Sequence, residues 1–211
     1  MIELAIGAIV VALVFDFLNG FHDAANSIAT VVGTRILRPL HAVTLAAAAN
    51  FIGPFLFGVA VATTIGKGII NPDFVTLNII IGALAGAIVW DIFTWLLGLP
   101  TSSSHALVGG IIGAGIAGAG SHVIILDGVQ KVGIGILVSP IAGFVAAFAL
   151  GLIIMKVFAK AKPHAVNSAF GRLQLVSATY FSLTHGANDG QKTMGVLALI
   201  LLTQGIITKF S

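Results

Sequence analysis

The chain has 211 residues, 58% of them apolar and only 8% charged, against about 25% charged in an ordinary soluble domain. This composition excludes a water-soluble fold, and ten Lys and Arg against seven Asp and Glu, net +3, in a chain of mean hydropathy +1.11, are too few to form a nucleic-acid-binding stripe. Zero cysteines exclude a disulfide scaffold, a Cys-ligated metal and a thiol nucleophile, and an apolar start with no Lys or Arg ahead of it and no small-residue cleavage site is not expected to be a removable signal peptide.

In chain order, the first long apolar segment is 5–33, interrupted by Asn19, Gly20, His22, Asp23 and Asn26. Runs long enough to cross a hydrocarbon core, about 20 residues each, follow at 41–66, 77–98, 106–126 and 132–157. Their continuous apolarity fits helices and not the period-two alternation of a membrane barrel. Gly82 with Gly86, and Gly109 with Gly113, stand four apart on helix faces and either predict close backbone approach there or are mere composition in a chain with 26 glycines. The run after Pro100 is expected to be either re-entrant or spanning. A last apolar segment, 173–207, is interrupted by Thr184, His185, Gly186, Asn188, Asp189, Gln191 and Lys192. An unbroken helix of that length would measure about 50 Å, beyond the bilayer core, so this segment and the first are expected to break or turn.

Cytoplasmic loops collect Lys and Arg. Arg35 and Arg38, and then Lys156, Lys160, Lys162 and Arg172, therefore place both basic clusters in the cytoplasm, with an even number of crossings between them. The expected organisation is a first transmembrane repeat over 1–158, a basic cytoplasmic loop over 159–172, and the start of an incomplete second, inverted repeat over 173–211. The fold class is all-α: a polytopic membrane protein with inverted repeats, discontinuous helices and a hairpin near Pro100.

The repeat is visible around two acids. Gly20 placed over Gly186 also aligns Phe15 with Phe181, Asp23 with Asp189, and Ser27 with Thr193. Inverted repeats meeting at the membrane midplane are a general design of secondary transporters. An ionised carboxylate in hydrocarbon costs at least about 2.5 kcal/mol, so a pair in matching places reads as functional, the alternative being packing acids satisfied by backbone amides. Asp16 and Asp91 lack a polar cluster and are expected to pair with another helix or face water.

Pro100-Thr101-Ser102-Ser103-Ser104-His105 puts hydroxyls and free amides at a helix N-terminus, an oxyanion site in outline, although an N-cap alone would need only one serine. Asp can only accept a hydrogen bond, so an oxyanion beside Asp23 or Asp189 should carry a proton, as phosphate does and sulfate does not. Asn19, Asp23 and Asn26 in one block, with Asn188, Asp189 and Gln191 in the other, offer hard oxygen ligands for a cation. Lys192 stands where the other block has Asn26 and supplies a fixed positive charge that weakens cation binding in its half. His22, His105 and His185 are candidate proton carriers, His105 and His185 ahead of His22. An intramembrane Ser/His hydrolase is disfavoured because adjacent Ser104 and His105 diverge by about 100° on a helix. The acidic blocks argue against a passive anion channel.

Gly20-Phe21-His22-Asp23-Ala24-Ala25-Asn26-Ser27, Pro100-Thr101-Ser102-Ser103-Ser104-His105 and His185-Gly186-Ala187-Asn188-Asp189-Gly190-Gln191-Lys192 together resemble the inorganic phosphate transporter (PiT) family over nearly the whole chain. The resemblance implies cation-coupled phosphate symport, not an enzyme, by alternating access in the cytoplasmic membrane. Its alternatives are a sulfate or other oxyanion permease of the same fold. Sodium or protons are the implied coupling ions and no other cofactor is expected, while a divalent metal carried with phosphate is implied by bacterial members. By motif match, Asp23, Asn26, Ser102, Ser103, Ser104, Asn188 and Asp189 are the implied substrate and cation residues. Thr101, His105, Gly186, Gln191 and Lys192, in the same motifs, complete the candidate substrate set. The cation set adds Asn19, and Asp23 with Asp189 are the candidate metal ligands. His22 and Gly190-Gln191-Lys192 replace an Asn and a Val-Ala-Asn common in the family and look like the bacterial subgroup. A second Pro-Ser-rich hairpin is expected after the second Asp motif. The implied partners are phosphate, membrane lipid, and either further copies in a homo-oligomer or a completing C-terminal half.

Overall fold

The computed structural model describes residues 2–208, apart from the side chain of Ala24. Met1 and residues 209–211, the outer ends of the expected first and last units, lie outside the described residues. Seven α-helices run in order: α1 Ile2–Gly33, α2 Pro39–Leu56, α3 Ala60–Lys67, α4 Leu77–Leu96, α5 Ser103–Ala119, α6 Leu126–Phe158 and α7 Pro163–Thr203. Single 3-10 turns lie at Pro72–Phe74 and Ser121–Val123. Four of the helices, α1, α2, α4 and α6, are long and apolar enough to cross a membrane.

The discontinuities fall elsewhere than expected. α1 and α7 run unbroken through their polar blocks, over 32 and 41 residues. The reason is that an intramembrane polar side chain interrupts hydropathy but not the backbone ladder, and neither helix has an internal proline, the residue that would remove a rung and clash. α7 is therefore roughly 60 Å long at 1.5 Å per residue. It starts at Pro163, so the expected loop over 159–172 shrinks to 159–162. The break lies in the expected span 41–66: Pro54 sits in the last turn of α2, Phe57 is extended (φ −112°, ψ 156°), and α3 restarts at Ala60.

α2 and α7 cross at backbone contact. A Cβ on Gly53 would meet the Leu183 carbonyl and the Ala187 amide nitrogen, and one on Gly186 would meet the backbone of Asn50. α4 and α5 form the second close pair. Gly82 and Gly86 face α5 as the spacing predicts, with a Cβ on Gly82 3.5 Å from Ala114 Cβ and one on Gly86 4.0 Å from Gly110 Cα. The α5 face is the Gly110 face, whose backbone lies against that of Ala83, whereas Gly109 and Gly113 look into open space. The main apolar core gathers Phe15 of α1, Ile65 of α3, Leu84 of α4, Leu107 and Ile111 of α5 and Leu199 of α7. The chain segments after α3 and after α5 meet in a single antiparallel bridge, Ile70 with Ile124, which ties the lower ends of the broken helix and α5 together. α6 buries only Gly128 in its first turn; Val129 packs against the core, and most of the rest of the helix presents apolar side chains outward.

Candidate functional site

α1 and α7 run antiparallel where they touch. Asp23 faces His185, Asn19 faces Lys192 and Asp16 faces Thr193, so residue numbers fall along one helix as they rise along the other. The two acidic blocks thus meet in opposite directions. Each block also repeats one local device: Asn26 Nδ2 donates to Asp23 Oδ1 at 3.2 Å, and Lys192 Nζ, also three residues on, donates to Asp189 Oδ1 at 2.8 Å. The sequence alignment that paired Asn26 with Lys192 therefore pairs the same contact.

Lys192 is the centre of the arrangement. Its ammonium, with the residue 2% exposed, reaches Asp189 Oδ1 of its own helix, Asn19 Oδ1 of α1 at 3.1 Å and Ser104 Oγ of α5 at 2.9 Å. Three N–H groups meet three oxygens, which is what a buried ammonium needs to offset its lost hydration. The serine-tipped helix and both acidic blocks are joined at this one atom.

His185 is the second junction. Its Nδ1 lies 3.1 Å from Asn50 Oδ1 of α2, and Asn50 Nδ2 donates to the Ala46 carbonyl, so the amide oxygen is turned to the ring and Nδ1 carries the hydrogen. Nε2 then points between Asp189 Oδ2 at 3.3 Å and Asp23 Oδ2 at 3.6 Å. These three side chains bring one ligand atom each within 4.8 Å of one another. Nε2 and Asp189 Oδ2 are buried without a hydrogen-bond partner among the described residues. A proton or a divalent cation fits between them, the latter with two carboxylate oxygens and one imidazole nitrogen.

Two cavities flank the Lys192–Asp189 pair, and their linings differ in chemistry. One, about 400 Å³, is lined by Ser104, His105, Asn188 and Lys192, with α3 on its far wall. Its polar lining includes an ammonium and groups that donate hydrogen bonds. The other, about 500 Å³, is lined by Asp16, Asn19, Asn50, His185 and Asp189 among apolar residues of α1, α2 and α7. Its lining is rich in acceptors. An anion suits the first and a cation the second.

The remaining candidates divide between site and scaffold. Ser102 accepts from the His105 amide at 3.4 Å as the N-cap of α5. Thr101 Oγ1 accepts from Trp90 Nε1 at 3.0 Å, and Thr101, Ser102 and His105 line a third cavity of about 700 Å³ on the outer side of the α5 tip. Ser103 is buried with its hydroxyl unpartnered. Gly186 is the contact point of α7 on Asn50. Gln191 Oε1 accepts the Val61 amide at 2.9 Å, satisfying a free N–H in the first turn of α3. Asn26 and Asn188 are exposed. Sequence reasoning missed Asn50, which lies in a run read as an ordinary apolar crossing, while Asp16 pairs with another helix as expected, its Oδ1 accepting from Thr193 Oγ1 of α7 at 2.6 Å.

The fold and site define a multi-pass membrane protein with a polar, charge-paired centre in its interior. The sequence model of the Phosphate transporter family matches residues 19–209, and the chain belongs to that family. It stands among transporters and not enzymes. It is 54% identical over 204 residues to a probable low-affinity inorganic phosphate transporter of Rhizobium meliloti (strain 1021), covering 97% of this chain and 61% of that one. It is 43% identical over 210 residues to a protein of the same description from Bacillus subtilis (strain 168), covering 99% and 63%. The chain thus spans about three fifths of the length of these relatives. A solved structure titled "The sodium-dependent phosphate transporter" shares the fold, with TM-score 0.87 at 22% identity over 99% of this chain and 70% of that one.

Proposed function

We propose that this chain forms the phosphate-binding part of a cation-coupled inorganic phosphate symporter of the cytoplasmic membrane, working by alternating access. The observation that carries the reading is the contact of Lys192 Nζ with Asp189, Asn19 and Ser104, which joins the three motifs in one buried centre. Phosphate takes the donor-lined cavity, held by Ser104, His105 and Asn188 in the field of the Lys192 charge. The coupling cation, sodium or a proton, takes the acceptor-lined side, among Asn19, Asp23, His185 and Asp189. A divalent metal accompanying phosphate has the same Asp23–His185–Asp189 group as its seat. The negative-inside membrane opposes entry of an anion, and a cation on the neighbouring acids offsets that charge.

Phosphate is favoured over sulfate because the side-chain oxygens of Ser104 and Asn188 in the same cavity can accept a hydrogen bond, which a monohydrogen phosphate gives and sulfate does not. A further C-terminal half or a second copy closes the apolar flank of the acceptor-lined cavity. The order of repeats, 1–158 and from 173 onward, goes with this reading.

The test is phosphate uptake into proteoliposomes by the full-length protein, with sodium and proton gradients imposed separately. Uptake driven by one of them, resisted by excess sulfate, and lost in an Asp23→Asn, Asp189→Asn double variant is expected. Uptake indifferent to both gradients would remove the symport reading, and an active double variant would remove the site.

A further inference from the structure

Asp91 takes no part in the centre described above. It sits near the C-terminal end of α4, 1% exposed, with both carboxylate oxygens unpartnered among the described residues. Its backbone carbonyl, by contrast, is well supplied, by His22 Nε2 at 3.2 Å and Thr94 Oγ1 at 3.1 Å. An ionised carboxylate so placed has little beyond the Ser103 hydroxyl to offset its lost hydration, a loss that a neutral, protonated one avoids.

The neighbours are few. α1, α5 and α7 pack on α4. Its polar neighbours are His22 from α1 and the Ser103 hydroxyl from α5, and the other charged groups of the packed helices that bear on it are Asp23 and Lys192, both turned toward the central site. Ser103 Oγ is itself 1% exposed and without a partner. Beside the carboxyl lies a cavity of about 110 Å³ lined by Leu18, Phe21, His22, Asp91, Ile92 and Trp95. Apart from His22 and Asp91 this lining is apolar. Sodium needs several oxygen ligands and would find too few here, whereas a proton needs one basic oxygen.

We propose, on the basis of the transport reading above, that Asp91 carries a co-transported proton of its own, in addition to the cation held among Asn19, Asp23, His185 and Asp189, at a site separate from the phosphate and cation cavities. The step is a simple protonation: one carboxylate oxygen takes H⁺ to become a carboxylic acid and returns it when the site has turned to the other face. Ser103 accommodates both states, its oxygen accepting from the acid and its O–H donating to the carboxylate. Because Ser103 and Ser104 share the first turn of α5, a change at Asp91 reaches the hydroxyl that holds Lys192. α1 supplies a second link, since His22 faces α4 while Asp23, one residue on, faces α7.

The experiment uses the full-length protein in proteoliposomes, reading two fluxes in the parent, Asp91→Asn and Asp91→Glu. One is phosphate accumulation driven by a proton gradient; the other is phosphate–phosphate exchange, which moves no net proton. Loss of accumulation in D91N to the level seen without a gradient, with exchange kept and accumulation restored in D91E, is expected. D91N that accumulates like the parent overturns the proposal, as does joint loss of both fluxes in D91N and D91E, which marks a structural acid. If the parent exchanges no phosphate, the transport reading itself fails. Infrared difference spectra then decide Asp91 alone: a protonated-carboxyl band present in the parent and absent from D91N supports protonation, and identical spectra refute it.

Discussion

Lys192 shows how one residue can be both scaffold and site. Its ammonium is 2% exposed and meets oxygens from three helices, so truncation leaves Asp189 buried beside Nε2 of His185 with one cationic partner gone. Breaking a buried pair from one side typically costs about 3–5 kcal/mol, and Lys192→Met should lower the unfolding temperature in detergent accordingly. Adding Asp189→Asn removes the orphaned charge and should recover part of that loss. A double variant no more stable than Lys192→Met would mean that the two groups are uncoupled. The importance of this position was legible from its alignment with Asn26, because both stand three residues beyond an Asp. Its partners were not: Ser104 lies 88 residues away and Asn19 lies 173 away, and no local pattern carries such contacts. His185 was legible only as a proton carrier, since its role as a bridge depends on Asn50, on a helix whose hydropathy reads as an ordinary crossing.

At the scale of the helix, hydropathy and backbone geometry report different things. The polar interruptions and the length of the last segment, about 50 Å as one helix, predicted breaks in α1 and α7, but each block faces the other and the helices stay whole. The break in α2 was written in Gly53-Pro54 and Phe57-Gly58, a breaker signal concealed by the apolarity around it. Small residues carried the packing signal more faithfully: the Gly82 and Gly86 face was readable from spacing, and the choice of Gly110 over Gly109 on α5 was not, since both lie within the same glycine-rich run. This difference yields a paired test. Gly186→Ala places a methyl group against the Asn50 backbone, where the neighbour is main chain and gives little. Overpacking of this kind costs about 1–3 kcal/mol. Gly109→Ala meets nothing within 4 Å and gains helix propensity worth up to about 1 kcal/mol. Thermal unfolding of the two variants should move in opposite directions, and a stable Gly186→Ala would place the α2–α7 crossing further apart than described.

Across the whole molecule, the division of donors and acceptors between two cavities makes a prediction that no single contact makes. The chain has no cysteine, so a single introduced thiol reports one position without a background. Val108→Cys opens into the donor-lined cavity beside Lys192 and Ser104, and Val43→Cys opens into the acceptor-lined one beside Asn19 and Asp189. If phosphate occupies the first, its addition should slow labelling at Val108→Cys by a small water-soluble thiol reagent and leave Val43→Cys unaffected, with sulfate weaker at equal concentration. The coupling cation should do the reverse. The Lys192–Asp189 pair lies between the two positions, so Lys192→Met should erode this selectivity, each ligand then slowing both labels. Equal protection of both positions by phosphate in the parent protein would mean that the two cavities act as one chamber and that the ammonium does not separate anion from cation.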